Sequence, residues 1–319
     1  MSKFNFTPFD LIVSVTLVLS VSLIINKLLA WLYDAPVNIE SVYLTSLILV
    51  LIITPKIDYQ TISFLVFASV VSTASKFVLA IEKKHIFNPA AIAVVISGLA
   101  LNWYPTWWIA NSFMMPFIII GGLLLLRRIN RWDLFLTFFI TTLTVSMYFI
   151  VANHRDAYTY LTNLILHSSL LFLGFVMLTE PATLPPTRNL QMVYAILVGI
   201  LFVPDIKLGS IFTTPELALV IGNVFSYTIS PKYKLFLRLI KKKKLSSDIY
   251  NFTFELNKPM KFKPGQYMEW TLVHKDSDRR GVRRYLTIAS APTEGNLQLG
   301  VKFYPNGSTY KRALLDMEL

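Results

Sequence analysis

Residues 283–292 read Arg-Arg-Tyr-Leu-Thr-Ile-Ala-Ser-Ala-Pro, and fifteen residues beyond Pro292 a second stretch, 307–314, reads Gly-Ser-Thr-Tyr-Lys-Arg-Ala-Leu. What flanks them decides the fold of the C-terminal part. From Ile249 the side chains alternate, with Tyr250, Phe252, Phe254 and Leu256 on one face and Asn251, Thr253 and Glu255 on the other. That is the period of a half-buried strand. Pro264-Gly265 marks a turn before a second strand at 266–273, and 297–303 alternates again. Short strands separated by Gly/Pro turns predict a small antiparallel β-barrel over 245–319. The first quoted stretch falls between two of its strands and the second opens an amphipathic run. No repeat of solenoid length is present.

N-terminal to the barrel the pattern is different. Four consecutive lysines, Lys241–Lys244, close a basic stretch at 231–244 that is expected to be a linker, its charges solvated or resting on anionic headgroups. Residues 1–230 hold 12 Lys/Arg and 10 Asp/Glu, and residues 231–319 hold 18 and 8, so +10 of the net +12 lies in the last part. The whole chain of 319 residues is 54% hydrophobic and 15% charged, against about 25% charged for a soluble domain. A lipid bilayer, not a nucleic acid, is the partner this composition implies.

Taking ~20 apolar residues as one crossing, residues 1–230 predict an all-α polytopic bundle of about nine spans. They fall near 9–31, 42–55, 61–81, 89–102, 107–126, 132–151, 159–178, 189–206 and 214–230. Connections carrying Lys83, Lys84, Arg127, Arg128, Arg131 and Arg188 alternate with ones carrying only Lys56, Arg155 and Lys207. The positive-inside rule then puts the barrel on the cytoplasmic side of the cell membrane and the N-terminus outside. Trp103, Tyr104, Trp107 and Trp108 are expected at the outer interface. The first apolar segment has no small-residue cleavage site and reads as a retained helix. The absence of cysteine excludes disulfides and Cys-ligated zinc or iron–sulfur centres within this sequence, and no metal site is expected.

The two quoted stretches carry the chemistry. A flavin dinucleotide needs a guanidinium for its diphosphate, an apolar or flat side chain against its ring system, a small hydrogen-bonding group near N5, and a helix start whose N–H groups meet the phosphates. Residues 283–292 offer the first three and Gly307-Ser308-Thr309 the last. Residues 235–319 resemble the FAD-binding barrel of the ferredoxin-NADP reductase superfamily, whose Arg-x-Tyr-Ser/Thr motif holds FAD. The resemblance implies Arg284 on the diphosphate, Thr287 as the catalytic group beside the reactive flavin edge, and Tyr285, Leu286 and Ser290 around the cofactor. Gly307, Ser308 and Thr309 fall at the family's second diphosphate site. Leu286 stands where the family has its aromatic residue, with Tyr285 one step earlier. The family's nicotinamide-binding half is expected beyond residue 319, so the barrel is expected to be incomplete at its C-terminus.

In the apolar part the polar stretches are Lys76 through Glu82-Lys83-Lys84-His85-Ile86-Phe87-Asn88-Pro89-Ala90-Ala91, and Met177-Leu178-Thr179-Glu180-Pro181-Ala182-Thr183. Ionisable groups in such a setting are functional suspects. These stretches and their order, over about residues 10–230, resemble the family of integral membrane proteins shared by the Rnf electron-transport complex and the sodium-pumping NADH:quinone oxidoreductase. Phe87-Asn88-Pro89-Ala90 matches one signature, and Thr179-Glu180-Pro181-Ala182-Thr183 matches Thr-Asp-Pro-Val-Thr with conservative changes. The resemblance implies an acceptor site among Lys76, His85, Asn88, Thr179, Glu180 and Thr183. The family esterifies FMN to the Thr of Ser-Gly-Ala-Thr; here that position is Leu170, which leaves a non-covalent second flavin or a quinone as the membrane cofactor.

Together these resemblances imply an FAD-dependent oxidoreductase that passes electrons from NAD(P)H, as substrate of the longer protein, to an acceptor in or across the membrane, with further electron-transfer subunits as possible partners. A haem-type transmembrane ferric reductase is the first alternative. It requires two His pairs on facing helices, and only His154 and His167 stand 13 apart, with 153–156 reading as a loop. His274, beside Asp276 and Asp278, reads as a solvated loop residue. A redox-sensing transporter is the second alternative, suggested by the broken pattern at Asn88-Pro89.

Overall fold

The spacing of small and polar residues in the first helix shows how the N-terminal part is built. Ser14, Val18, Ser22, Asn26 and Ala30 recur every fourth residue, and these five are the buried positions of α1 (Pro8–Leu32). Its large apolar side chains, among them Phe9, Ile12, Ile24, Leu28 and Trp31, point outward. In α3 (Tyr59–Val78) Ser69, Ser72, Thr73 and Ser75 are buried beside Phe64, Leu65 and Ala68. A helix that buries small polar residues and turns bulky apolar ones outward, as α1 does, is packed for lipid, because small residues let helices approach and lipid solvates the rest.

The computed structural model describes residues 4–33, 39–81, 84–209, 211–230, 235–257, 259–274, 282–305 and 307–318. Lys83, Pro231, Asp276 and Asp278 lie outside the described residues, as do 231–234 of the expected linker. The chain divides into two units, Met1–Tyr233 and Lys234–Leu319.

In the first unit α2 (Ile39–Ile52) and α3 pack on α1. A short hairpin, β1 (Ala80–Ile81) and β2 (Lys84–His85), leads into α4 (Pro89–Leu101), which packs on α3. Then come α5 (Met115–Ile129), α6 (Trp132–Ala152), α7 (Ala157–Leu166) and α8 (Leu170–Phe172), the last running on as a π-helical turn, Leu173–Met177. After these, α9 (Arg188–Leu201) packs on α6, a second hairpin of β3 (Lys207–Leu208) and β4 (Ile211–Phe212) follows, and α10 (Pro215–Ile229) packs on both α9 and α4.

Among the described residues three helices are long and apolar enough to cross a membrane alone, α1, α3 and α6. The pair α7 and Leu170–Met177, bent by 48°, makes a fourth if counted as one. The segment expected to begin a span at 107 begins in a loop instead. Trp107 N donates to Ile52 O at 2.8 Å and the Trp108 ring N–H to Val50 O at 2.6 Å, so the aromatic stretch closes over the end of α2 and α5 starts only at Met115.

Close helix approach depends on glycine. A Cβ placed on Gly122 of α5 would lie 2.3 Å from the ring of Phe175, which stacks on Phe135 at 4.2 Å between centroids. Gly122→Ala is expected to cost about 1–3 kcal/mol through overpacking. Thermal unfolding in detergent measures it, and an unchanged Tm would mean that Phe175 swings clear.

The second unit is antiparallel, as its alternation predicts. Strand β5 (Leu237–Lys244) pairs with β6 (Ile249–Leu256), and β6 with β9 (Leu297–Lys302); β7 (Tyr267–Thr271) pairs with β8 (Arg283–Thr287). Among the described residues these form a three-stranded and a two-stranded sheet, not a closed barrel. They are stitched where Ala289 N donates to Gln298 O at 2.8 Å. Phe252, Phe254, Trp270, Leu297 and Leu299 make the core with Tyr310 and Leu314 of the terminal helix α11 (Thr309–Asp316).

The lysines expected in a linker are part of β5, with Lys242 opposite Phe252 and Lys244 opposite Tyr250. Pairing with β6 overrides the weak strand propensity of lysine, and charge along a sheet margin discourages further strand addition. Lys242 Nζ also donates to Leu315 O and Met317 O, placing a cation at the carbonyl end of α11.

Candidate functional site

In the second unit, Arg284 leaves β8 on the face that meets α11. Its guanidinium carbon lies 5.2 Å from the centre of the Tyr310 ring, in the first turn of that helix. The turn is built by Ser308, whose side-chain oxygen accepts from Lys311 N at 3.3 Å, an N-cap of the usual Ser type. Gly307 N donates to Tyr304 O at 2.9 Å, and a Cβ at 307 would sit 3.1 Å from that same oxygen, so the approach to the helix has little room for a side chain. A guanidinium beside a capped helix start is a cradle for a diphosphate. Burial pushes the Tyr310 hydroxyl up to about 12, with the Arg284 charge acting the other way, so the ring stays neutral at physiological pH.

Strand alternation separates the remaining residues of the motif. Tyr285 and Thr287 stand on the outer face of β8, opposite Glu269 and Tyr267 of β7. The Tyr285 hydroxyl donates to Glu269 Oε2 at 2.8 Å, and the Tyr285 and Tyr267 rings meet edge to face at 6.2 Å. Leu286 turns the other way and packs against the core, while its carbonyl accepts from the Trp270 ring N–H at 3.2 Å. Tyr285, not Leu286, therefore shares the face of Thr287. Ser290 is buried and its oxygen accepts from Gln298 N at 3.1 Å, which ties β8 to β9.

Sequence reasoning missed His274. Rather than standing free on a loop, its Nε2 lies 3.1 Å from Thr309 Oγ1 and its Nδ1 2.8 Å from Leu272 O. The spacing of 35 residues between His274 and Thr309 carries no local signal.

In the first unit the two polar stretches meet. Glu180 receives the Asn88 side-chain N–H on Oε2 at 2.8 Å, and His85 Nε2 lies 3.3 Å from its Oε1. Asn88 caps α4 by accepting from Ala91 N at 3.0 Å, which Pro89 at the first helical position favours. Asn88 N donates to Asn223 Oδ1 at 2.8 Å, and Asn223 Nδ2 donates to the Tyr194 hydroxyl at 3.3 Å. Asn223 and Tyr194 are completely buried and lie outside the two stretches, so the network is deeper than the sequence motifs.

Lys76 Nζ instead donates to Ser41 O and Ser41 Oγ at 2.8 and 3.0 Å, joining α3 to α2. Thr179 donates back to Phe175 O at 2.7 Å and Thr183 to Glu180 O at 3.4 Å. Both hydroxyls thus serve the turn that carries Glu180.

The break between α7 and α8 holds His167, Ser168 and Ser169. Ser168 Oγ donates to Leu164 O and receives Leu170 N at 3.2 Å, while the buried Ser169 Oγ has no hydrogen-bond partner among the described residues. Leu170 is completely buried and carries no hydroxyl, so an ester to flavin has no acceptor there. Of the two histidines spaced as a haem pair would be, His154 stands in a turn at φ 50° and His167 ends α7. Neither position gives the facing pairs that two stacked haems need.

Comparison with known proteins divides the chain at the same place. Residues 104–234 match the NQR2, RnfD, RnfE family, and residues 236–316 match the oxidoreductase FAD-binding domain. No curated protein matches the chain. Among solved structures it is similar to a flavohemoglobin from Malassezia yamatoensis with bound FAD and heme, at 13% identity and a TM-score of 0.25, covering 66% of this chain and 62% of that one. The chain thus joins a segment that matches the NQR2, RnfD, RnfE family to one that matches the oxidoreductase FAD-binding domain.

Proposed function

We propose that the chain is the membrane and FAD-carrying part of an oxidoreductase that draws electrons from NAD(P)H and delivers them to an acceptor in or across the membrane. The observation that carries this reading is the Arg284 guanidinium against the capped first turn of α11, inside a domain of FAD-binding type. When bound, FAD supplies the link between a hydride donor and one-electron carriers.

The chain's own residues bind and orient. Arg284 neutralises the diphosphate, Ser308 and Thr309 present backbone N–H groups to it, and Gly307, whose own N–H is given to Tyr304 O, keeps the approach clear of a side chain. Thr287 supplies the small hydroxyl at the reactive edge, with Tyr285 and Tyr267 on the same face as the aromatic surface that Leu286 does not provide. Arg284 and Thr287 point to opposite faces of β8. In the membrane unit Glu180, held by His85 and Asn88, forms the polar acceptor site, and the break at 167–169 takes a non-covalent flavin or a quinone. The Lys/Arg bias of the connections supports a cytoplasmic FAD domain.

The absorption spectrum of the purified full-length protein, with its flavins released by acid and identified, tests the reading. FAD in the extract, bleaching of the flavin band by NADH or NADPH and its return on adding a quinone are expected. A protein that carries no FAD and takes up none when it is supplied overturns the proposal.

A further inference from the structure

We propose that His274 is a positioning residue for the diphosphate end of FAD, acting through the hydroxyl of Thr309. The inference rests on the FAD reading above. Leu272 O can only accept, so the contact at 2.8 Å places a hydrogen on His274 Nδ1. In the neutral ring this leaves Nε2 an acceptor, and the group facing it at 3.1 Å is the Thr309 hydroxyl, which gives the ring its hydrogen. Thr309 opens α11, and the next residue, Tyr310, carries both the Arg284 guanidinium and the edge of the His274 ring, 6.2 Å between ring centres. An imidazole, a hydroxyl and a guanidinium thus converge on one helical turn. Beside them an open cavity of about 530 Å³ is bounded by Leu272, His274, Thr309, Arg312 and Asp316.

Protonation of His274 reverses the hydrogen bond. The imidazolium donates from both nitrogens, so Nε2–H gives to Thr309 Oγ1 and the threonine hydrogen turns to a phosphate oxygen. The ring also adds a positive charge at the helix start. Both changes favour an anionic ligand, so FAD binds more tightly as the pH falls. Among the described residues the other charged groups facing this turn are Arg284 of β8 and Arg312 and Asp316 of α11, while Lys311 of the same turn gives its ammonium to Lys302 O. The arginines keep their charge, and Tyr310 stays neutral. Histidine is the side chain whose charge changes between about pH 5 and 8.

The test is a titration of the full chain in detergent with FAD, followed by quenching of flavin fluorescence at about pH 8 and about pH 6. The unmodified protein is expected to bind about five- to tenfold more tightly at the lower pH. In His274→Asn, whose amide is suited to donate to Leu272 O, binding persists and the pH response falls below about twofold. A response that survives in that variant, or an unmodified protein that binds FAD equally at both pH values, overturns the role of His274 and leaves the FAD site standing. Absence of FAD binding at both pH values overturns the FAD reading and this inference with it.

Discussion

Arg284→Ala is expected to weaken FAD binding by about ten- to a hundredfold, the loss of a charged hydrogen-bonding partner worth roughly 1.5–3 kcal/mol. The guanidinium reaches the helix start from β8, a separate strand. Arg284→Lys restores part of the affinity, since a point charge cannot reproduce the planar two-donor fork. Flavin occupancy after gel filtration and an equilibrium titration with FAD measure the effect. The unfolding temperature of the membrane unit serves as the control and stays put. Full occupancy in the alanine variant would remove Arg284 from the site.

The second large effect falls in the membrane unit. Asn223→Leu removes the acceptor of Asn88 N and the donor to the Tyr194 hydroxyl in one change, and both groups left behind are buried. Each unsatisfied group costs about 1–3 kcal/mol, so a destabilisation of about 2–6 kcal/mol is expected from the pair. Because Asn88 also holds Glu180 at 2.8 Å, the variant should lose acceptor reduction at temperatures where it remains folded. Unfolding in detergent and quinone-dependent reoxidation of the flavin give the two readings. Asn223→Asp keeps the acceptor oxygen for Asn88 N and separates them; if it restores neither stability nor turnover, the hydrogen bond to Asn88 is not what Asn223 provides.

Much of this is legible wherever a signal is local. The alternation at 249–256 becomes β6 with Phe252 and Phe254 buried. Asn88-Pro89 becomes a capped helix start, and Ser308 the cap of α11. The two polar stretches expected to form one site do meet, through Glu180, His85 and Asn88. What the sequence hides depends on partners far along the chain. Asn223 reads as a lone polar residue in an apolar helix until its partner 135 residues away is known. The lysine run reads as a linker because charge suppresses any strand expectation, while the pairing that makes it a strand comes from β6. Trp107 and Trp108 count as span residues by composition, yet their N–H groups are committed to the carbonyls at the end of α2. Leu286 reads as the flavin's wall by its place in the motif, but the phase of β8 sends it to the core.

The π-helical turn at Leu173–Met177 has a meaning for how this chain can change over generations. A π turn is an α-helix carrying one residue more than its hydrogen-bond ladder needs. Loss of one residue within it would restore the ladder and leave the turns on either side nearly in phase, whereas loss of a residue from a regular turn rotates everything that follows by about 100°. The Thr179-Glu180 turn that meets His85 and Asn88 is therefore buffered against a one-residue deletion at this place and exposed to one elsewhere in the same helix. A descendant of this chain could shed the extra residue here and keep the cluster.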